Sequence, residues 1–441
     1  MIECLLIKQK LTMRITFVIF CVLALLMGCQ PKTQNANEDS SMTLDNIAEQ
    51  YVKLVLAVGE HHPYYVDAYY GPSEWRTGEK RPLSDLKADI SLLLKQLEQV
   101  EHTQDDSQRK AFLQVQTRSM LTFIEIINNE KISFDDESLR LYDAVSPNIT
   151  EAELDKALKE LDLMLPGKGS VSERMNDFIA QFVIPKNKLD SVFKAAVVES
   201  RKRTKQYIQL DEQESFTIEY VQDKVWSGYN WYKGNSYSLI QVNTDFPIYI
   251  ARAIDLASHE GYPGHHVFNS LMEKHLVNGK GWIEYSIYPL FSPMSLLAEG
   301  SANYGVDVVF PHDERIQFEK GVLFPLAGLD ASKVELYYQV QTVKQQLSYA
   351  DNMVAKRYLD GEIDDQKAIE LLVKYTLVTE KKAQQRLGFI NANRAYVINY
   401  NLGQDIVKNY IEKQTKTGTQ TELWTLFSDL LANPKTASMM Q

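Results

Sequence analysis

The stretch HEGYPGHH, residues 259–266, is the most informative part of this 441-residue chain. A His followed by Glu at the end of an apolar helical run is typical of a helix-borne zinc site, in which the His binds the metal and the Glu is the general base. The usual second His lies one turn further, at i+4, but Pro263 stands there. The stretch therefore predicts a metal site whose spacing departs from the usual one.

Two later histidines, His265 and His266, are the candidates for the second ligand. On a straight helix His265 would be rotated by about 120° from the required face, and His266 would lie about 10 Å further along the axis. A shared metal therefore requires a distorted helix. Pro263 removes a backbone hydrogen bond and Gly264 tolerates unusual dihedral angles, so the sequence predicts that distortion here.

A third ligand is predicted on a second helix. The segment SPMSLLAEGSANYGVDVV, residues 292–309, has helical character and carries Glu299, 40 residues after His259. Two His and one Glu leave the fourth position of a tetrahedral zinc open, as in catalytic sites. Asn303 lies one turn beyond Glu299, where its amide oxygen is expected to accept a hydrogen bond from a ligand imidazole.

These segments together resemble a known family. HEGYPGHH, AEGSANY at 298–304 and RAYVINYNLG at 394–403 are similar to motifs of the domain-of-unknown-function 885 family, which is grouped with the zincin-type metallopeptidases. The resemblance runs from roughly Tyr220 to Asp405. It implies a zincin-like fold and a zinc-dependent peptidase reaction, without naming a substrate. Related zincin families insert residues before a Gly-His pair, and this series favours His265 over His266 as the second ligand.

Two further residues are candidates for stabilising an oxyanion. A Tyr hydroxyl or a guanidinium aimed at the tetrahedral oxygen is a common device of zincin sites. Tyr400, which with Gly403 keeps the family's Y-x-x-G pattern, is the first candidate, and Arg394 is the second. The alternative is that the aromatic side chains of this segment pack a helix while Arg394 makes a structural ion pair.

The N-terminus resembles a bacterial lipoprotein signal. Residues 1–28 contain a basic start and the apolar run Ile15 to Met27, and they end before Cys29 in a lipobox-like sequence. We expect Cys29 to be acylated, which would anchor the protein in a membrane. A polar tether is predicted at 29–44. The signal favours the cell envelope, and Gln30 favours the outer membrane, with the protein facing the periplasm.

Composition narrows the function classes. All three cysteines lie at or before position 29, so the remaining chain has no thiol for a disulfide, a metal or a nucleophile. The net charge is −11 and becomes −13 without residues 1–28, which contain three basic residues and one acidic residue. This balance argues against a nucleic-acid partner.

The hydrophobic pattern predicts a mostly α fold. Apolar residues recur at helical spacing in segments such as 45–58, 83–100, 111–127, 152–165 and 331–359. Thr150 and Glu153 predict a capping box. Strands are predicted only at 236–243 and 216–221, as a small element beside the HE helix. We divide the chain into an N-terminal helical region at 45–210, a metal-site core at 211–320 and a C-terminal helical region at 321–441 that closes the cleft.

The leading hypothesis is a lipid-anchored zinc metallopeptidase that cleaves a peptide or another small amide. In it His259, His265 and Glu299 hold zinc, and Glu260 is the general base. One alternative is a metal-dependent hydrolase of a different amide or ester. Another is a non-catalytic envelope lipoprotein with a vestigial site. The intact set of His, Glu, His and Glu favours the enzyme, because a decayed site tends to lose its base first.

Overall fold

The computed structural model describes residues 42–104, 106–224 and 226–441. The chain divides into two units, Met1–Met42 and Thr43–Gln441, and the second contains every helix and strand named below. The predicted signal segment 1–28, the lipidation site Cys29 and nearly all of the tether lie outside the described residues. Leu44, the last residue of the predicted tether range, already begins the first helix.

Helices dominate the structure, with 66% of the chain against 7% in strands, and this confirms the predicted mostly α class. The helices up to the site are α1 Leu44–Gly59, α2 Leu83–Gln99, α3 Ser107–Ile127, α4 Phe134–Tyr142, α5 Glu151–Met164, α6 Val171–Ala180, α7 Leu189–Thr204, α8 Ala251–Leu256 and α9 His265–Met272. Those that follow are α10 Pro293–Val309, α11 His312–Phe318, α12 Phe324–Ala327, α13 Val334–Gln345, α14 Ala350–Leu359, α15 Asp365–Thr376, α16 Glu380–Asn393, α17 Ile398–Gln414, α18 Gln420–Ala432 and α19 Ala437–Met440. Within the described residues, none is long and apolar enough to cross a membrane.

In the part of the chain that the structure describes, five short strands form two small sheets. The strands are β1 Val66–Tyr69, β2 Ser215–Val221, β3 Gly228–Tyr232, β4 Tyr237–Asn243 and β5 Ile287–Pro289. β1 pairs antiparallel with β5, and the second sheet has the order β2-β4-β3, with β2 parallel and β3 antiparallel to β4. The predicted strands at 216–221 and 236–243 are confirmed as β2 and β4. β3 was not predicted.

Local signals in the sequence explain where several helices begin. The predicted capping box at α5 is present, because Thr150 accepts from the backbone of Glu153 while the Glu153 carboxylate accepts from the backbone of Thr150. The central helix α10 starts with Pro293. Proline lacks a backbone N–H, but at the first position of a helix this group would have no partner within the helix. The helix α10 is buried along nearly its whole length. α10 packs against α17, so the fold places Glu299 deep in the interior.

Candidate metal centre

The helix that carries His259 is distorted, as predicted. α8 continues as a π-helical turn at Ala257–Gly261, the chain is irregular through Tyr262–Gly264, and α9 starts at His265. At Gly264 the backbone nitrogen donates to the Ser258 carbonyl at 2.9 Å. A Cβ atom on Gly264 would lie 1.8 Å from the His259 carbonyl oxygen, so only glycine permits this close approach.

The distortion brings three ligand atoms together. His259 Nε2 lies 3.1 Å from His265 Nε2 and 3.2 Å from Glu299 Oε2, and the last two atoms are 3.9 Å apart. These three residues form a group that could hold a metal ion. Two ligand atoms about 2.1 Å from a tetrahedral zinc lie about 3.4 Å apart, so the triangle has a suitable size.

Asn303 orients the first ligand and confirms the predicted contact. Its Nδ2 donates to the Tyr400 carbonyl at 2.8 Å, which directs Oδ1 towards His259 Nδ1 at 2.9 Å. Since Oδ1 can only accept, Nδ1 of His259 carries a proton, which leaves Nε2 as the ring nitrogen that faces His265 and Glu299. In the neutral ring, this is the tautomer whose Nε2 is free to bind a metal.

Glu299 divides its two oxygens between a tyrosine and the ligand triangle. Tyr396 donates its hydroxyl to Oε1 at 2.8 Å. Oε2 is buried without a hydrogen-bond partner among the described residues and faces the two Nε2 atoms. A buried carboxylate oxygen beside two imidazole nitrogens is costly unless a cation satisfies all three, so the donor set fits a bound metal.

The carboxylates around the three candidate ligands favour positive charge at this position. Burial lowers the pKa of His259, but Glu299 and Glu260 outweigh burial and raise that pKa above its usual value. Burial lowers the pKa of His265 to about 4, and the charge of His259 adds to this effect, so His265 is neutral. Burial opposes ionisation of Glu299, yet its contacts with His259 and His265 hold the pKa of this carboxyl below its usual range. A neutral imidazole and an ionised carboxylate are the forms that bind metal.

His266, the alternative second ligand, points away from this triangle. Its ring is buried and contacts Ser238 Oγ through Nδ1 at 2.8 Å and Glu214 Oε2 through Nε2 at 3.3 Å. Glu214 also accepts from Tyr262 and Arg201. His266 therefore belongs to a polar network that ties the strands to α9, and His265 takes the position in the ligand group.

Glu260 lies beside the ligands without a hydrogen bond or ion pair from its carboxylate to the described residues. Burial raises the pKa of Glu260 to about 7, against the lowering effect of His259 and Arg252. Strand β3 packs against this side chain, since a Cβ on Gly228 would lie 2.8 Å from Glu260 Oε1. Asn230 of β3 also donates to the Glu260 carbonyl at 2.6 Å. The carboxylate is therefore held in place by packing.

The two predicted oxyanion residues have different surroundings. Tyr400 packs edge-on against Tyr396, with ring centroids 5.8 Å apart, and its hydroxyl makes no hydrogen bond with the described residues. Arg394 instead pairs with buried Glu137 of α4 through Nε at 2.7 Å and a terminal nitrogen at 2.6 Å. The structure thus brings Tyr400 to the ligand group and places Arg394 in the structural ion pair that was its alternative interpretation.

Several site residues were not predicted from the sequence. Asp67 of β1 accepts a hydrogen bond from Tyr229, and burial raises its pKa to about 7, with Glu299 adding to the shift. Burial raises the pKa of Tyr288 of β5, and the nearby charges of Asp67 and Glu299 add to this effect. The only sequence signal was the density of tyrosines, which is equally typical of a packed core.

The comparisons with known proteins show a fold but no family. No family model and no curated protein matches the chain. A Colwellia psychrerythraea protein provisionally described as a lipoprotein has a similar fold, with a TM-score of 0.52, 16% identity and 80% of this chain covered. This chain spans 65% of the length of that protein. A second match, to a Shewanella oneidensis protein provisionally described as a lipoprotein of unknown function, has a TM-score of 0.46, 12% identity and coverage of 92% and 83% of the two chains.

Proposed function

We propose that the protein is a zinc-dependent peptidase, anchored by lipid in the bacterial cell envelope. The observation that carries the proposal is the convergence of His259 Nε2, His265 Nε2 and Glu299 Oε2, with the free carboxylate of Glu260 beside them. Two imidazoles and one carboxylate match the ligand set of catalytic zinc, whereas hard cations such as Mg²⁺ prefer oxygen ligands alone.

The residues around the ligands have the roles that amide hydrolysis requires. When bound, zinc supplies Lewis-acid polarisation of the scissile carbonyl and lowers the pKa of water. Glu260 accepts the proton of the attacking water and delivers it to the leaving amine. The free hydroxyl of Tyr400 donates to the developing oxyanion. Tyr396 and Asn303 position Glu299 and His259 and do not contact the reacting atoms.

The neighbouring sheet suits a peptide substrate. β3 is at the edge of the order β2-β4-β3, so among the described strands its second side is unpaired. Gly228 brings this strand directly against the Glu260 carboxylate. An extended peptide adds readily to such an edge through its backbone, which would direct one of its amide groups to the general base.

The decisive experiment compares the wild type with Glu260→Gln. We expect about one zinc per chain in both. A digest of a peptide library is expected to identify substrates, and their cleavage by Glu260→Gln should fall by roughly 10²–10⁴ because only the base is lost. Near-zero metal that added zinc does not restore would contradict the metal assignment. Equal cleavage by the two zinc-loaded proteins would show that Glu260 is not the base.

We propose that Cys29 anchors the protein in the outer membrane, facing the periplasm. The support is the apolar run that ends at Leu26-Met27-Gly28-Cys29, together with the provisional description of the Colwellia protein as a lipoprotein. Acyl chains on one cysteine bind a bilayer through their buried methylene groups.

Replacing this cysteine tests the anchor. Cys29→Ala removes the acceptor thiol, so we expect the variant to lose the membrane association of the wild type, as measured by fractionation and immunoblotting. Cys21→Ala, within the apolar run, is the matched control and should fractionate as the wild type does. A wild-type protein that is already soluble in the periplasm would rule out the anchor.

A further inference from the structure

Four cationic side chains from three separate helices lie near the metal centre, close enough for Arg252 to act electrostatically on both lysines and on Glu260. Arg252 is on α8, Lys344 is on α13, and Lys382 and Arg386 are one turn apart on α16. We call these four residues the basic cluster. All four are half-buried, so they do not extend freely into solvent.

The basic cluster is continuous with the ligand group. The Arg386 guanidinium lies 6.0 Å from the centroid of the Tyr400 ring, and Tyr400 packs on Tyr396, the hydroxyl partner of Glu299. On the other side, Arg252 precedes His259 by seven residues, about two turns of the same helical run. The cluster therefore borders the side of the cleft that contains Tyr400.

The basic cluster is short of counter-charges. Arg386 pairs with Asp351 at 2.9 Å, and Arg252 has a 3.5 Å contact with Asp255. Lys344 and Lys382 have no carboxylate within 4.0 Å among the described residues. Asp255 is itself engaged at 2.7 Å by Arg315, so it does not neutralise Arg252 fully.

The pKa values of the two lysines reflect their burial and the nearby positive charges. Burial lowers the pKa of Lys382 to about 8, and the charges of Arg386 and Arg252 add to the effect, with Asp245 opposing it. Burial and Arg252 also lower the pKa of Lys344, against Asp351. Half-buried cations that destabilise one another in a chain of net charge −11 indicate a site where an external anion is the missing partner.

Groups of both charges act on Glu260. Asp67 of β1 acts on Glu260 as an anion, whereas Arg252 acts on it as a cation. The basic cluster, through Arg252, therefore acts on Glu260 against the influence of the Asp67 carboxyl group. A peptide whose scissile bond lies beside Glu260 would meet the basic cluster with the chain on one side of that bond.

We propose that the basic cluster binds the C-terminal carboxylate of a peptide, so that the enzyme releases short fragments from the C-terminal end of its substrates. The inference rests on the proposed peptidase function and adds its substrate class. The Arg386 guanidinium lies 6.0 Å from the Tyr400 ring and an extended residue spans about 3.5 Å, so a carboxylate bound there would lie roughly one to two residues beyond the scissile bond. Lys344 and Lys382, which lack carboxylate partners, make the new ion pairs.

Binding to the zinc-loaded Glu260→Gln protein tests the carboxylate site without turnover. The probes are three fluorescent peptides of one sequence: the free acid, its C-terminal amide, and the amide with a Glu side chain near the end. We expect the free acid to bind about 10-fold to 100-fold more tightly than either amide, the range of one charge-assisted hydrogen bond. Equal binding of acid and amide would overturn the inference, and tight binding of the Glu-containing amide would assign the cluster to acidic side chains instead.

Single substitutions locate the effect. Lys344→Met and Lys382→Met, each made in the Glu260→Gln protein, should reduce the preference for the free acid at least several-fold while zinc content stays at the level of the parent. Lys194→Met, at an exposed position of α7, is the matched control and should retain the preference. If Lys344→Met and Lys382→Met both preferred the free acid as strongly as the parent protein does, the proposal would be contradicted.

Turnover separates this inference from the proposed function. In the otherwise wild-type enzyme, Lys344→Met should raise KM for the free acid with little change in kcat, and leave the amide unaffected. Cleavage of acid and amide with equal kcat/KM would overturn the inference and leave the peptidase function standing. Absence of any cleavage, together with lysine-dependent binding of the free acid, would contradict the peptidase function and leave the anion site standing.

Discussion

At the scale of single residues, the adjacent histidines His265 and His266 have opposite orientations and different partners. His265 faces His259 across 3.1 Å, whereas His266 contacts Ser238 and Glu214 in the interior. The helix break at Pro263 and Gly264 sets the rotation of the first turn of α9. One residue is therefore available to a metal, and the other serves the packing of the strands.

Replacing each histidine by alanine separates these roles. His265→Ala removes a ligand, so we expect the zinc content to fall to near zero. His266→Ala should keep the zinc but lower the free energy of unfolding by about 1–3 kcal/mol, because buried Glu214 loses a hydrogen-bond partner. Elemental analysis and urea titration measure the two quantities. Metal lost only from His266→Ala would show that the ligand assignment is wrong.

Helical spacing alone predicted part of the site at this scale. The contact of His259 with Asn303 follows from placing Asn303 one turn after Glu299, and the structure confirms it. The choice between His265 and His266 rested on a resemblance to the spacing of zincin motifs, because an irregular backbone has no period to extrapolate. Arg394 was placed near the oxyanion by its motif, but its partner Glu137 is far away in the sequence and carried no signal.

At the scale of elements, two glycines explain how the site helices approach each other. A Cβ on Gly300 of α10 would lie 2.4 Å from the carbonyl carbon of Gly403, and a Cβ on Gly403 of α17 would lie 2.6 Å from the Leu296 carbonyl oxygen. The two backbones are therefore in direct contact. Glu299 precedes the first glycine, and Tyr400 lies one turn before the second, so this crossing sets the distance between the ligand and the tyrosine.

Gly300→Ala tests the crossing. The added methyl must push α17 away, and such overpacking typically costs about 1–3 kcal/mol of unfolding free energy. We expect weaker zinc binding as well, because the shift would disturb two hydrogen bonds. These are the hydrogen bond of Asn303 with His259 and that of Tyr396 with Glu299. Gly388→Ala on α16 is the control, since its Cβ would meet nothing within 4 Å, and it should stabilise the helix by about 0.5–1 kcal/mol. Equal stability of the two variants would argue against the contact.

Strand β3 shows where pattern reading fails at this scale. β2 and β4 were predicted from β-branched and apolar residues, but β3 reads Gly-Tyr-Asn-Trp-Tyr. Its buried positions are Asn230 and Tyr232, whereas Tyr229 and Trp231 are half-exposed, so polarity and burial are inverted over residues 229–231. The reason is functional geometry: Asn230 donates to the Glu260 carbonyl, and Gly228 makes room for the Glu260 side chain. β3 could not be predicted from the sequence, because its residue pattern follows from its contacts with Glu260.

At the scale of the whole molecule, a bound metal would be a cross-link in a unit that has no disulfide. All cysteines lie at or before position 29, outside the unit Thr43–Gln441. His259 and His265 come from the distorted α8–α9 run, and Glu299 comes from α10. Asn303 and Tyr396 extend the connection to α17 and the turn before it. Metal binding is therefore expected to stabilise the assembly of these helices, because the unfolded chain does not hold the three ligands together.

This coupling predicts a zinc-dependent stability. With free zinc at 100 times its Kd, the free energy of unfolding should exceed that of the chelated protein by about 2.7 kcal/mol, and Tm should rise with zinc concentration. Differential scanning calorimetry with and without a chelator measures the difference. Glu299→Gln, which keeps the size of the side chain but loses the anionic ligand, should show little zinc-dependent shift. Identical melting of the wild type with zinc and with chelator would mean that the three residues do not bind the metal in the folded protein.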